Sequence, residues 1–258
     1  MTEKNSRFSL EGERALITGG GTGIGFGIAE CMVRAGAHVV LAGRREELLR
    51  TAAEKLGGSA GYLAGDVTDT RGAEEFARTV EERFGPVSIL VNNAGIHHKQ
   101  PFLETAFEDF DKVLRTHVSG SFVMSKAFAP GMAARKHGHI LFIASMTTFI
   151  GMPRVIGYTA AKSAVGGMVR ALTAELAPLG VRVNAISAGP VRTVAARSIP
   201  GFMKMYDRVA QVAPLKRNIT QEEVGNLGLF LLSPLASGIT GEVVYVDAGY
   251  HIMGMELE

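Results

Sequence analysis

Seven short apolar runs, each followed by enough chain for a helix, constrain this sequence more than any other feature. The runs are RALIT (14–18), HVVLA (38–42), AGYLAG (60–65), VSILVN (87–92), HILFIAS (139–145), VRVNAIS (181–187) and EVVYVD (242–247). Several are apolar almost throughout, the pattern of strands covered on both faces. Between them lie helix-length segments at 24–35, 45–56, 70–84, 107–135, 157–178 and 221–232. Strand–helix alternation at this spacing argues for right-handed βαβ units. The expectation is an α/β fold, a doubly wound parallel sheet of seven strands flanked by helices.

A chain of 258 residues, 47% hydrophobic and 20% charged, suits one sizeable domain spanning 1–258, and no linker or short-period repeat divides it. Its 27 basic and 25 acidic residues are interspersed, with no basic tail or stripe, so no nucleic-acid partner is expected. The single cysteine, Cys31, excludes an intramolecular disulfide or a cysteine zinc site and reads as a small buried hydrophobe. His97, His98, His137 and His139 show no metal-ligand pattern, and no metal is assigned. No run of ~18 apolar residues and no apolar leader occurs, so a cytoplasmic protein without a membrane span is expected. The one long irregular stretch runs from 189 to 217. Connections of that length are usually functional, and a substrate lid at about 190–217 is expected. Phe202, Met203, Met205 and Tyr206 would line an apolar pocket there, although a plain helix packed on the core fits the same residues equally well.

ALITGGGTGIGFGIAE joins the first strand to the first helix. Gly19, Gly23 and Gly25 let the backbone turn sharply and approach a pyrophosphate, which then meets the helix N-terminus. This context makes a Rossmann-type dinucleotide site the reading of the loop. An NAD site usually ends its second strand in Asp or Glu, whereas this chain has Gly43 followed by Arg44 and Arg45. A guanidinium can clamp a ribose 2′-phosphate, so Arg44 points to NADP(H). Two arginines opening a helix also describe a solvated face, a reading that covers Arg45 well.

Tyr158 and Lys162 stand four residues apart on one predicted helix, and Ser145 lies thirteen residues before Tyr158. Tyrosine and lysine ordinarily titrate near ~10 and ~10.4, so neither exchanges protons readily at neutral pH. Taken with TGGGTGIG (18–25), NNAG (92–95) and VDAG (246–249), this constellation resembles the short-chain dehydrogenase/reductase family from about residue 8 to 253. The resemblance implies that Tyr158 is the general acid/base and that Lys162 lowers its pKa while holding the nicotinamide ribose. It implies that Ser145 hydrogen-bonds the reacting oxygen. It also implies cofactor contacts from Thr22 and Ile24 in the glycine loop, from Asp66 and Val67 after the third strand, and from Asn93, Ala94 and Gly95, with Asn92 and Gly95 shaping the wall near the nicotinamide. Gly189, Val191 and Thr193 complete the implied set, Thr193 at the carboxamide.

Two departures matter. RTHVSGSF puts His117 where the family has a catalytic asparagine that holds a water through its backbone carbonyl. His117 is either a participant in the proton relay or a tolerated substitution. NAISAGPVRTVAA and GEVVYVDAG make the C-terminal third similar to enoyl-acyl-carrier-protein reductases. Those enzymes separate Tyr and Lys by six residues, and the matching position here is Val155, which cannot donate a proton. The catalytic pair is that of a carbonyl reductase.

The first substrate expected is therefore a 3-oxoacyl thioester carried on acyl carrier protein or coenzyme A, with Arg135 and Lys136 as candidate carrier contacts. The close second is a polyol, sugar or sugar acid, suggested by His97, His98 and Lys99 in IHHKQPF. An enoyl thioester comes third, and an NADP-binding regulator without turnover is the reading from another class. A homotetramer built through the helices at 107–135 and 157–178 is the expected assembly.

Overall fold

Every strand places alternate side chains on opposite faces, and in this chain both faces are apolar. Leu16 and Val40 belong to one core cluster with Leu90 and Phe142, whereas their neighbours Ile17 and Leu41 belong to a second with Val91 and Ile143. The computed structural model describes residues 8–193, 196 and 201–253. Its strands are β1 (Arg14–Thr18), β2 (His38–Gly43), β3 (Ala60–Ala64), β4 (Ile89–Asn92), β5 (Gly138–Ser145), β6 (Val181–Ala188) and β7 (Val243–Val246). They form one sheet in the order β3-β2-β1-β4-β5-β6-β7, and every pairing is parallel. The order reverses between β1 and β4, which opens the crevice where doubly wound sheets bind ligands.

Helices α1 (Gly23–Arg34) and α2 (Glu46–Leu56) cover one face, through Ile28, Met32 and Leu49. Helix α3 (Ala73–Phe84) covers the other through Ala77 and Val80. Cys31 is buried as expected, with Sγ 3.6 Å from Asn226 Oδ1.

The segment at 107–135 is not one regular helix. It runs as α4 (Phe107–Leu114), a widened π turn over Arg115–Ser119, and α5 (Gly120–Arg135). Single π turns inside α-helices often sit at functional sites, and this one carries His117. Helix α6 (Ile156–Leu176) follows β5.

Much of the expected lid is helical. Helix α7 (Phe202–Val212) buries Phe202 and Val209 but leaves Met203 exposed, so the apolar residues proposed for one pocket wall face different ways. Residues 194–195 and 197–200 of that segment lie outside the described residues. Helix α8 (Gln221–Leu232) starts with a capping box between Thr220 and Glu223 and packs beside α1. No helix of the described residues is long and apolar enough to cross a membrane.

Candidate active site

β5 ends at Ser145, and α6 begins eleven residues later at Ile156, so both deliver side chains to the C-terminal edge of the sheet. Residues four apart share a helix face, and Tyr158 and Lys162 come together there. Ser145 is buried and caps the short 3-10 turn Met146–Thr148, its Oγ accepting from the Thr147 N–H at 3.3 Å. Lys162 is also buried, its Nζ donating to the Ile143 carbonyl and lying 5.4 Å from the centre of the Tyr158 ring. Two histidines flank the same ring. His97 stacks on it at 4.1 Å between centroids and 27° between planes, and His117 meets it edge-on at 5.4 Å and 82°.

Desolvation governs the electrostatics. Burial raises the Tyr158 pKa, opposed by a hydrogen bond with Ser145. Burial also pulls Lys162 down to about 7. The expected lowering of the tyrosine by the lysine is therefore corrected. The Lys162 nitrogen bonds a backbone carbonyl and faces the ring, and burial of the phenol sets the direction of the shift. Burial, then the Lys162 charge, lowers His97 to about 4 and His117 to about 3. His97 is exposed at its surface yet crowded by protein, so its charged form is poorly solvated. Both rings are neutral at physiological pH.

His117 is engaged at one nitrogen. Its Nε2 lies 3.2 Å from the Ile96 N–H and 2.9 Å from the Ile96 carbonyl. A Cβ on Gly95 would stand 2.3 Å from His117 Cε1, so glycine is what lets the imidazole reach Ile96. The next residues are anchored too. His98 Nε2 is 2.9 Å from Gln100 Oε1 and 3.6 Å from Asp109 Oδ2 on α4, and the Gln100 N–H donates to the Arg154 carbonyl at 2.8 Å. The Lys99 ammonium reaches toward the start of α7, 3.3 Å from where a Cβ on Gly201 would be.

The glycine loop opens at the sheet's reversal point. Gly19 and Gly23 adopt φ of +64° and +61°, where other residues are strained, and a Cβ on Gly25 would come within 2.5 Å of Asn93 Nδ2. Thr22 precedes α1 without a side-chain cap, and the first turn, which includes Ile24, has no acid, so its N–H groups are open to an anion. Thr18, which the sequence did not single out, ties the loop to β4: its Oγ1 accepts from the N–H groups of Asn93 and Ala94 at 3.0 and 3.1 Å. Asn93 Nδ2 donates to the carbonyls of Thr18 and Gly19 at 2.9 and 3.1 Å. Asn92 does not form the cofactor-side wall expected of it. It is buried and donates to Ser125 on α5 at 3.0 Å.

The other predicted cofactor residues border this crevice. Thr193 lies across from the loop, its methyl 3.1 Å from where a Cβ on Gly23 would be, and Val191 is buried behind it. Gly189 donates to the Val246 carbonyl at 2.9 Å. Asp66 Oδ1 accepts from the Thr68 N–H and hydroxyl at 2.9 and 2.8 Å, and Val67 packs against Gly120. Arg44 and Arg45 are exposed just past β2, and a Cβ on Gly43 would meet only Leu49, at 3.6 Å. The positive-φ glycines, the uncapped helix and the open position 43 fit a dinucleotide. Among the described residues no cluster of three metal-binding side chains occurs.

Arg135 and Lys136 are not near this site. They end α5 at the opposite edge of the sheet, where Arg135 donates to the Val87 carbonyl at 2.6 Å. The eight residues of β5 separate that edge from Ser145, roughly 25 Å of strand.

Such a sheet, glycine loop and Ser–Tyr–Lys cluster define a nicotinamide-dependent oxidoreductase scaffold. The chain belongs to the short-chain dehydrogenase/reductase family: a family model described as enoyl-(acyl carrier protein) reductase matches residues 19–251. It is 38% identical over 248 residues to galactitol 2-dehydrogenase (L-tagatose-forming) of Cereibacter sphaeroides, covering 95% of this chain and 97% of that one. Among solved structures, it resembles a gluconate 5-dehydrogenase from Burkholderia cenocepacia in complex with NADP and tartrate, with a TM-score of 0.88, 31% identity and coverage of 95% and 97%. It also resembles a 3-ketoacyl-(acyl-carrier-protein) reductase from Brucella melitensis complexed with NADH, with a TM-score of 0.89, 32% identity and coverage of 95% and 100%. The chain is thus an oxidoreductase that uses a nicotinamide cofactor.

Proposed function

We propose that this protein interconverts a ketone and a secondary alcohol with NADP(H), and that its substrate is a small hydroxylated ketone or polyol. The convergence of Ser145, Tyr158 and Lys162 beside the glycine loop carries the reading of the chemistry. When bound, the cofactor supplies the hydride from its nicotinamide C4. Tyr158 gives its phenolic proton to the carbonyl oxygen as that oxygen gains charge, and takes it back in oxidation. Ser145 holds the same oxygen. Lys162, charged, stabilises the phenolate left behind. Gly19, Thr22, Gly23, Ile24 and Gly25 would hold the pyrophosphate, Asp66 and Val67 the adenine, and Asn93, Ala94, Gly95, Gly189, Val191 and Thr193 the nicotinamide end. Arg44, with Arg45 beside it, would hold the 2′-phosphate that the empty space at Gly43 admits. His117 is a positioning residue, because its Nε2 is held at the Ile96 backbone and its pKa is far below neutrality.

The polar loop favours the hydroxylated substrate over the 3-oxoacyl thioester. His97 lies on the Tyr158 ring, whereas the basic pair considered for a carrier protein sits at the far edge of the sheet. An enoyl thioester lacks a donor at residue 155, a buried valine at the start of α6. Helix α7, facing Lys99 through Gly201, supports a lid around 190–217. The exposed Phe107 and Phe122 on α4 and α5 support a homotetramer assembled through that face.

The test is NADPH oxidation with 3-hydroxy-2-butanone and, separately, a short 3-oxoacyl thioester, with Tyr158→Phe as the blank. Wild-type turnover of the hydroxy ketone, lost in Tyr158→Phe while NADPH still binds, supports the reading. A Tyr158→Phe protein that keeps most of its activity refutes the assigned proton donor. Turnover of the thioester alone refutes the substrate class.

A further inference from the structure

We propose that His97 is a specificity-determining residue whose imidazole receives a hydroxyl on the carbon next to the reacting carbonyl, so that α-hydroxy ketones and vicinal diols are chosen over simple ketones and alcohols. This rests on Tyr158 being the proton donor and on a hydroxylated substrate.

The position of the ring is the first support. His97 stacks on the Tyr158 ring with 4.1 Å between centroids, so whatever oxygen Tyr158 protonates arrives beside the imidazole. Oxygens on adjacent carbons are separated by a span of the same order as this stack. A hydroxyl several carbons away would pass the imidazole by.

The second support is that His97 is not consumed by the fold. His117 uses Nε2 on Ile96, and His98 is held by Gln100 and Asp109. Neither ring nitrogen of His97 is hydrogen-bonded to another described residue, and the residue is exposed beside Tyr158. Its backbone, however, is well fixed. Ile96 is held on one side, and His98 and Gln100 on the other, with Gln100 tied to Arg154 ahead of α6. A fixed backbone carrying a side chain with two open polar atoms is suited to reading a ligand.

The third support is chemical. Because burial and the Lys162 charge hold the imidazole neutral, it presents one donor and one acceptor. A hydroxyl also offers both, so the two groups complement each other in either tautomer. A methylene in the same place would leave the imidazole's polar atoms unpaired as water leaves the cleft, which is how a site built for a hydroxyl rejects the analogue lacking it.

The experiment compares kcat/KM for 3-hydroxy-2-butanone and 2-butanone, measured with NADPH and with NADH, in wild type, His97→Phe and His97→Asn. Phenylalanine keeps an aromatic ring on Tyr158 and removes both nitrogens, while asparagine keeps a donor and an acceptor. The ratio of the two kcat/KM values is independent of the fraction of folded enzyme, so a poorly folding variant does not obscure the answer. The wild type is expected to prefer the hydroxy ketone by at least about tenfold. His97→Phe should lose at least about tenfold of that preference, one hydrogen bond's worth, and His97→Asn should keep more of it than His97→Phe. A wild type with no preference, or a preference unchanged in His97→Phe, overturns the role of His97 while leaving the proposed function standing. A wild type that reduces neither ketone but turns over a 3-oxoacyl thioester overturns both.

Discussion

Replacing Lys162 by methionine should make the ligand-free protein more stable near pH 6 and less stable near pH 10. Burial lowers this lysine from 10.5 to about 7. That difference of about 3.5 units corresponds to about 5 kcal/mol at 1.36 kcal/mol per unit. The sign follows from where the protons reside. Below pH 7 both folded and unfolded chains carry the ammonium, and the folded chain bears the full desolvation penalty. Between pH 7 and 10.5 the unfolded chain binds the extra proton, so wild-type stability from this residue rises by up to about 1.4 kcal/mol per pH unit. Above 10.5 the penalty is gone. Methionine is never charged but deprives the buried Ile143 carbonyl of its donor, which costs about 1–3 kcal/mol at every pH. The net effect is a gain of about 2–4 kcal/mol near pH 6 and, with about 0.7 kcal/mol of the penalty still present, a loss of about 0–2 kcal/mol near pH 10. At about 2–4 °C per kcal/mol for a chain of this size, Tm should rise by roughly 4–16 °C at the lower pH and fall by roughly 0–8 °C at the higher. Thermal unfolding followed by circular dichroism at several pH values measures both. A difference in Tm that does not change with pH would refute the assignment of a buried, proton-shedding lysine.

Arg44→Ala should weaken NADPH binding by about tenfold or more, the loss of charge-assisted hydrogen bonds, and leave NADH binding nearly unchanged; fluorescence titration with both nucleotides checks it. Gly95→Ala should sharply reduce activity, because its Cβ falls 2.3 Å from His117 Cε1, and Gly95→Ala/His117→Ala should recover part of the loss if that contact is the cause. His117→Asn should leave the acidic limb of the kcat pH profile in place, since His117 is already neutral above about 3; a limb displaced by a unit or more would instead put His117 in the proton relay.

The sheet was legible because its strands are buried on both faces, so β-branched runs mark them almost residue for residue: 14–18 is exact, and β6 extends its run of 181–187 by one residue. The glycine loop was legible because φ near +60° at Gly19 and Gly23 leaves few other residues. The Ser–Tyr–Lys cluster was legible through its resemblance, together with the glycine loop, to the short-chain dehydrogenase/reductase pattern. What escaped depends on contacts distant in sequence. A π turn has no local signature, and RTHVS continues the helical pattern on either side. Helix α7 starts from Gly201 at φ +75° with no side-chain cap, so nothing in the sequence marks its beginning. Thr18 looked like an ordinary strand residue, and its role arises only when β4 brings Asn93 and Ala94 beside it. The direction of the Tyr158 shift was misjudged because spacing locates the lysine but not the burial around both groups.

One local irregularity links these missed features to the chemistry. The π turn carries His117 toward β4, and the bare Cα of Gly95 lets its ring reach both polar groups of the Ile96 backbone. Whichever tautomer it adopts, Nε2 holds one of these two groups, so Ile96 cannot rotate freely and the direction in which the chain leaves for His97 is set. His97 then lands on the Tyr158 ring. On the proposed function, the histidine at 117 acts through the loop it holds and not through its own titration, which is complete far below neutrality. A shorter or apolar side chain at 117 would leave Ile96 unheld, and the first consequence would be a displaced His97. Substitutions at 117 should for this reason alter the discrimination between hydroxylated and simple ketones before they alter cofactor binding, although residue 117 itself need not contact either substrate.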